Sequence, residues 1–206
     1  MKATMKTLSA ILICCFISTI QMYGENIQRP ESENYVKGVE ALNEGNPEVA
    51  YTYLNAEINE HPDNGYAHCY MALICNFCND TKLALQALNS SLELIPEADT
   101  EYRSFAHYSR GVLLTNLKMW ERAEADLNEA IRLNPEDVEN YKSRAQLYFE
   151  TERYEESLND LTRALKLDSK ADVNDLVLQL MAVAPTSEFM ERITATYQQL
   201  DQVTIH

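Results

Sequence analysis

Three cysteines in the middle of the chain, Cys69, Cys75 and Cys78, are the residues best placed by type to do chemistry, since a Cys75–Asn76–Phe77–Cys78 run has the spacing of redox and zinc motifs. Helical geometry argues against both uses. Cys69 and Cys75 stand about 9 Å apart along a helix axis and on different sides, too far to bridge, and an i,i+3 disulfide within a helix is strained. Zinc needs further ligands, and His61 and His68 offer neither a second paired-cysteine motif nor an HxxxH spacing. Cys75 therefore reads as a small core residue. His107 and His206 show no partner in a recognisable catalytic motif, and the Ser, Asp and His residues form no GxSxG or HExxH. The expectation is a protein that is not an enzyme and uses no metal or cofactor.

The elements that must carry these residues repeat along the chain. Pro62 and Pro96 are 34 residues apart, Pro135 follows after 39, and Ser169 stands 34 further on. Fixed offsets recur before each. Twenty-four residues earlier are Gly38, Ala72, Gly111 and Ala145, small enough for two helix backbones to approach closely. Twelve earlier are Ala50, Ala84, Ala123 and Ser157; eight earlier are Leu54, Leu88, Leu127 and Leu161; four earlier are Ile58, Leu92, Ile131 and Leu165. These give each second helix an apolar stripe. Five earlier stand Glu57, Ser91, Ala130 and Ala164, so the first unit departs from the pattern. Five extra residues around Asp99 to Arg103 lengthen the first helix of the third unit, with Asp99 or Thr100 as its cap.

The small residue in the first helix, the alanine in the second, the closing proline and the period of 34 resemble the tetratricopeptide repeat family. Trp120 and Tyr154 fill the aromatic place that opens the second helix of the third and fourth units. The resemblance implies an all-α, right-handed α-solenoid of about four helical hairpins, at 31–64, 65–98, 104–137 and 138–171, with capping helices at 172–206 where Leu176, Leu180, Phe189 and Ile193 keep helical spacing. One domain is expected.

In that family a peptide or partner helix lies in the concave groove formed by the first helices. Carried over, the groove is lined by Tyr35, Val36, Val39 and Leu42, then Tyr66, Cys69, Tyr70, Leu73, Asn76 and Phe77, then Phe105, Tyr108, Val112, Thr115 and Asn116, and last by Glu139, Lys142, Gln146, Phe149 and Glu150. Tyr, Val and Cys stand where the family's carboxylate-clamp members place Lys, Arg and Asn, so a receptor for peptide carboxylates is not expected. The implied function is a non-catalytic adaptor for a protein or peptide; the rival is a structural or assembly protein whose groove is filled by its own C-terminal helix or by a second copy.

Charge narrows the partners. The chain has 17 Lys and Arg against 32 Asp and Glu, a net charge of −15. Nucleic acid and anionic membrane surfaces are thereby disfavoured. Glu121, Glu124, Asp126, Glu129, Glu155, Glu156 and Asp160 lie on second helices and read as a solvated face. At the start of the chain, Lys2 and Lys6 precede the uncharged run Leu8 to Ile20, which suits a signal peptide over residues 1–24 and hence export to a periplasm or outside the cell, with no membrane span after its removal. The alternative is a lipid anchor at Cys15, although Cys14 holds the place where a lipobox wants a small residue.

Overall fold

A computed structural model describes residues 27–184 and 186–203. The signal peptide and lipid-anchor readings at 1–24 and Cys15, and His206, lie outside the described residues. Those residues form ten helices: α1 Glu33–Asn43, α2 Pro47–Glu60, α3 Gly65–Phe77, α4 Thr81–Leu94, α5 Thr100–Asn116, α6 Trp120–Leu133, α7 Val138–Glu150, α8 Tyr154–Leu167, α9 Asn174–Val183 and α10 Ser187–Val203. The chain divides into two compact units, Met1–Ala106 and His107–His206, with the boundary inside α5.

In the first unit α1 packs on α2 and α3 on α4. Gly38 shows why its position must be small: a Cβ there would come within 2.7 Å of Leu54 Cγ. Ala50, Leu54, Ala84 and Leu88 are buried beneath the hairpins. Pro47 opens α2, where its missing N–H costs nothing, while Asn64 and Asp80 cap α3 and α4 by accepting from the N–H groups of Ala67 and Leu83. Glu57 is only 1% exposed. It fits the place held by Ser91 in the second hairpin because Ser32 Oγ donates to it at 2.6 Å and Asn64 Nδ2 at 2.8 Å.

The second unit repeats the construction. Gly111 meets Leu127 as Gly38 meets Leu54, since a Cβ at Gly111 would stand 2.7 Å from Leu127 Cγ, and α7 packs on α8. Tyr141, Ala145, Leu158, Leu161 and Leu165 join Leu176, Val177 and Leu180 of α9 and Phe189 and Ile193 of α10 in one core cluster. The C-terminal helices thus bury their apolar faces within this unit, and Arg192 adds bonds to Glu155 and Asn159 of α8.

The turn between the two helices of a hairpin is the same four times. Gly45, Asn79, Lys118 and Glu152 all have positive φ, at 75°, 61°, 58° and 60°. Each sits in a helix-ending motif in which the next residue's N–H reaches back to a carbonyl five residues earlier: Asn46 to Ala41, Asp80 to Cys75, Met119 to Leu114 and Arg153 to Tyr148, at 2.8–2.9 Å.

Candidate partner-binding face

The first helices carry the residues expected to meet a partner, and the structure separates them by depth. Tyr35, Tyr66 and Tyr70 are interior side chains, Tyr70 only 2% exposed, so the expectation that these three line an open groove is corrected. Their packing supplies the reason. Rings of Tyr35 and Tyr70 lie 6.1 Å apart, Tyr70 and Tyr102 6.2 Å, and Tyr66 and Tyr102 4.8 Å in an edge-on pair. The hydroxyls of Tyr70 and Tyr102 share a hydrogen bond of 2.8 Å, and Tyr66 donates to Asp99 Oδ2 at 3.0 Å. Burial pushes all four phenols well above their ordinary pKa, which keeps them as neutral donors.

Some of the groove candidates in the first unit do remain accessible, among them exposed Asn76. Val36 on α1 and Phe77 on α3 are 39% and 40% exposed. Val39 and Leu73, 34 residues apart in equivalent places, are half-buried, as is Phe105. Leu42 and Cys69 are buried. In the second unit Val112, Tyr108 and Phe149 are half-buried and Asn116 is exposed.

Next to the tyrosines lies an ion pair that sequence reasoning missed, although it offered Asp99 as a cap. Asp99 caps α5, accepting from Tyr102 N–H at 3.2 Å, and also holds Arg29, whose Nε donates to Oδ2 at 3.2 Å. Nothing in a separation of 70 residues announces that pair.

The acidic second helices also differ from expectation. Asp126 and Asp160 are buried rather than solvated. Arg110 grips Asp126 with two bonds, Nε to Oδ2 at 2.7 Å and Nη2 to Oδ1 at 2.8 Å, and Arg144 grips Asp160 with the same atoms at the same distances. His107 does have a partner: its Nδ1 lies 2.9 Å from Asp126 Oδ1. Burial pulls the Asp126 pKa upward, but the hydrogen bonds of Arg110 and His107 outweigh it and hold the carboxyl below its usual value. The first hairpin fills the same two places with Lys37 and Tyr53, the ammonium 5.6 Å from the ring centroid. The signal was legible in principle, as Arg and Asp sixteen residues apart recurring at the 34-residue period.

Cys69, Cys75 and Cys78 are free thiols. Burial pushes the Cys69 thiol up to about 12, which leaves it inert as a nucleophile. Among the described residues no group of three or more His, Cys, Asp or Glu is placed to hold a metal ion, and no helix is long and apolar enough to cross a membrane.

Two models of the tetratricopeptide repeat match the chain, over residues 104–137 and 139–170. Tetratricopeptide repeat protein 6 of Homo sapiens is 24% identical over 143 residues, covering 69% of this chain and 26% of its own length. A lipoprotein NlpI homolog of Haemophilus influenzae is 30% identical over 87 residues, covering 42% of this chain and 28% of its own. The chain therefore spans about a quarter of the length of these relatives. Among solved structures, residues 41 to the end of MamA from Desulfovibrio magneticus RS-1 superpose with a TM-score of 0.67 at 18% identity, over 84% of this chain and 98% of that one. YrrB, described as a tetratricopeptide protein with an unusual peptide-binding site, gives 0.60 at 20% identity over 71% and 73%. At such identity the likeness speaks to fold alone.

Proposed function

We propose, from the premise that this is a tetratricopeptide-repeat protein, that the chain is a non-catalytic interaction module which holds an extended peptide or a partner helix against its first helices. The observation that carries the reading is the apolar side chains left accessible on the first helices of the first unit, Val36 and Phe77 exposed and Val39 and Leu73 half-buried. Solvated apolar groups of this kind gain about 25 cal/mol for each Å² that a partner covers. The likeness to YrrB, whose description names a peptide-binding site, supports a peptide as ligand. An excess of 15 acids over bases makes nucleic acid a poor partner. We place the protein outside the cytoplasm, exported or lipid-anchored, a reading that the lipoprotein relative supports.

The rival reading, in which the chain's own last helix fills the groove, has less support, because Phe189 and Ile193 of α10 are packed into the core with α8 and α9.

The test begins with selection of 12-residue peptides from a display library by the purified chain. A benzophenone amino acid at position 77 is expected to crosslink the selected peptide, whereas the same group at Leu178, 55% exposed on α9, is not. Phe77→Ala should weaken binding at least fivefold. Equal crosslinking at both positions, or unchanged affinity in Phe77→Ala, would overturn the proposal.

A further inference from the structure

Arg29 lies four residues before α1 and is received by groups that the fold holds in place for other reasons. Its Nε donates to Asp99 Oδ2 at 3.2 Å, and Nη2 reaches Asp99 Oδ1 at 3.5 Å and Glu101 Oε2 at 3.2 Å. Its Cζ stands 4.7 Å from the ring centroid of Tyr102. Both walls of this receptor are built from core residues. Asp99 is 1% exposed and is fixed by the Tyr66 hydroxyl and the Tyr102 N–H, while the Tyr102 ring is wedged against Tyr66 and Tyr70. The occupant belongs to the segment leading into α1, in which the flanking Gln28 and Glu31 are exposed.

The chemistry of the receptor selects a guanidinium. Two carboxylates set for a planar fork and an aromatic face for it to lie over are satisfied together by arginine, whereas an ammonium meets them as a point charge. The surroundings favour cations too, since residues 27–106 hold 13 acids and 4 bases.

We propose that Asp99, Glu101, Tyr66 and Tyr102 form a guanidinium-binding site that the chain's own Arg29 occupies, and that an arginine-bearing segment of a protein partner exchanges with it. The receptor stands independently of the reading built on the accessible apolar side chains; only the exchange rests on the chain being an interaction module. Exchange is a matter of effective concentration: a tethered occupant competes as though present at about millimolar level, which a partner with additional contacts overcomes.

The probes are N-acetylargininamide, N-acetyllysinamide and the amidated hexapeptide Ile-Gln-Arg-Pro-Glu-Ser, the sequence of residues 27–32, titrated into the full chain by calorimetry. Arg29→Ala is expected to bind the arginine compound and the hexapeptide at least tenfold more tightly than the wild type does, and to prefer arginine over lysine at least tenfold. Adding Glu101→Gln should reduce that binding at least fivefold. Wild-type chain should still bind the hexapeptide at high concentration. If Arg29→Ala folds poorly, Arg29→Lys keeps the charge and should also gain arginine binding. Binding that fails to separate arginine from lysine, or is indifferent to Glu101→Gln, overturns the receptor. A wild-type chain that takes up no hexapeptide overturns the exchange while the receptor stands. Phe77→Ala, expected to leave N-acetylargininamide binding unchanged, keeps failure of that reading distinguishable from failure here.

Discussion

Tyr70 and Phe77 sit two turns apart on α3, and their side chains do different work because one is covered and the other is not. Truncating Tyr70, 2% exposed and hydrogen-bonded to Tyr102, removes a packed ring. Tyr70→Ala is expected to cost about 3–5 kcal/mol, and Tyr70→Phe about 1 kcal/mol, since it removes the hydrogen bond with the Tyr102 hydroxyl. Phe77→Ala, at 40% exposure, should cost under about 1 kcal/mol. Urea midpoints for the three variants check the order. Helical spacing placed both aromatics on first helices, but spacing carries no depth: Tyr70 is interior because Tyr35 and Tyr102, from other helices, close over it. Asp126 makes the same point for charge. Read along the chain it belongs to an acidic surface; in the fold Arg110 and His107 converge on it. Asp126→Asn should cost about 3 kcal/mol by leaving the Arg110 guanidinium without its carboxylate. Its folded pKa is depressed below 3.8, so its contribution is fully present above that value and is lost as the pH falls through the lower folded one. Wild-type stability should therefore drop more steeply than that of Asp126→Asn below about pH 4, as measured by denaturation between pH 5 and pH 2.5.

At the scale of the element, the four hairpins share one turn geometry but not one turn residue. Gly45 adopts its φ of 75° freely and Asn79 at small cost, whereas Lys118 and Glu152 hold φ near 60° against the clash of Cβ with backbone. The surrounding bonds, Lys118 N–H to Thr115 O and Glu152 N–H to Phe149 O, hold the conformation. Lys118→Gly and Glu152→Gly are each expected to raise stability by about 0.5–1 kcal/mol, and Gly45→Ala to lower it by about 1 kcal/mol. Thermal melts of the single variants decide it; destabilisation by Lys118→Gly would mean that the strain is absent. The Gly45–Asn46 turn could be read from residue type. The turn at Asn79 carries a residue that tolerates a left-handed backbone, whereas those at Lys118 and Glu152 are visible only through the period, because Lys and Glu give no local sign of it. The first helix of the third hairpin was legible for a complementary reason: the five extra residues lengthen α5 to 17 residues, and of the two candidate caps, Asp99 and Thr100, it is Asp99 that accepts from Tyr102 N–H.

On the scale of the whole chain, the period determines which faces are apolar but not how far one unit's stability depends on another's. Repeat arrays lose stability locally when coupling between neighbours is weak and globally when it is strong. Ile193, fully buried, and Phe189 tie α10 into the core of the second unit, so Ile193→Ala should cost about 2–4 kcal/mol there. The unit boundary, however, falls within the continuous helix α5. A single helix common to two cores transmits loss of order by its own cooperativity, though only over the turns that fray. We therefore expect hydrogen exchange in Ile193→Ala to accelerate at least tenfold through α7 to α10 and less than threefold in α1 to α4. Equal acceleration in both units would show that α5 couples them into one folding block, in which case ligand binding at the first unit would also stabilise the C-terminal helices.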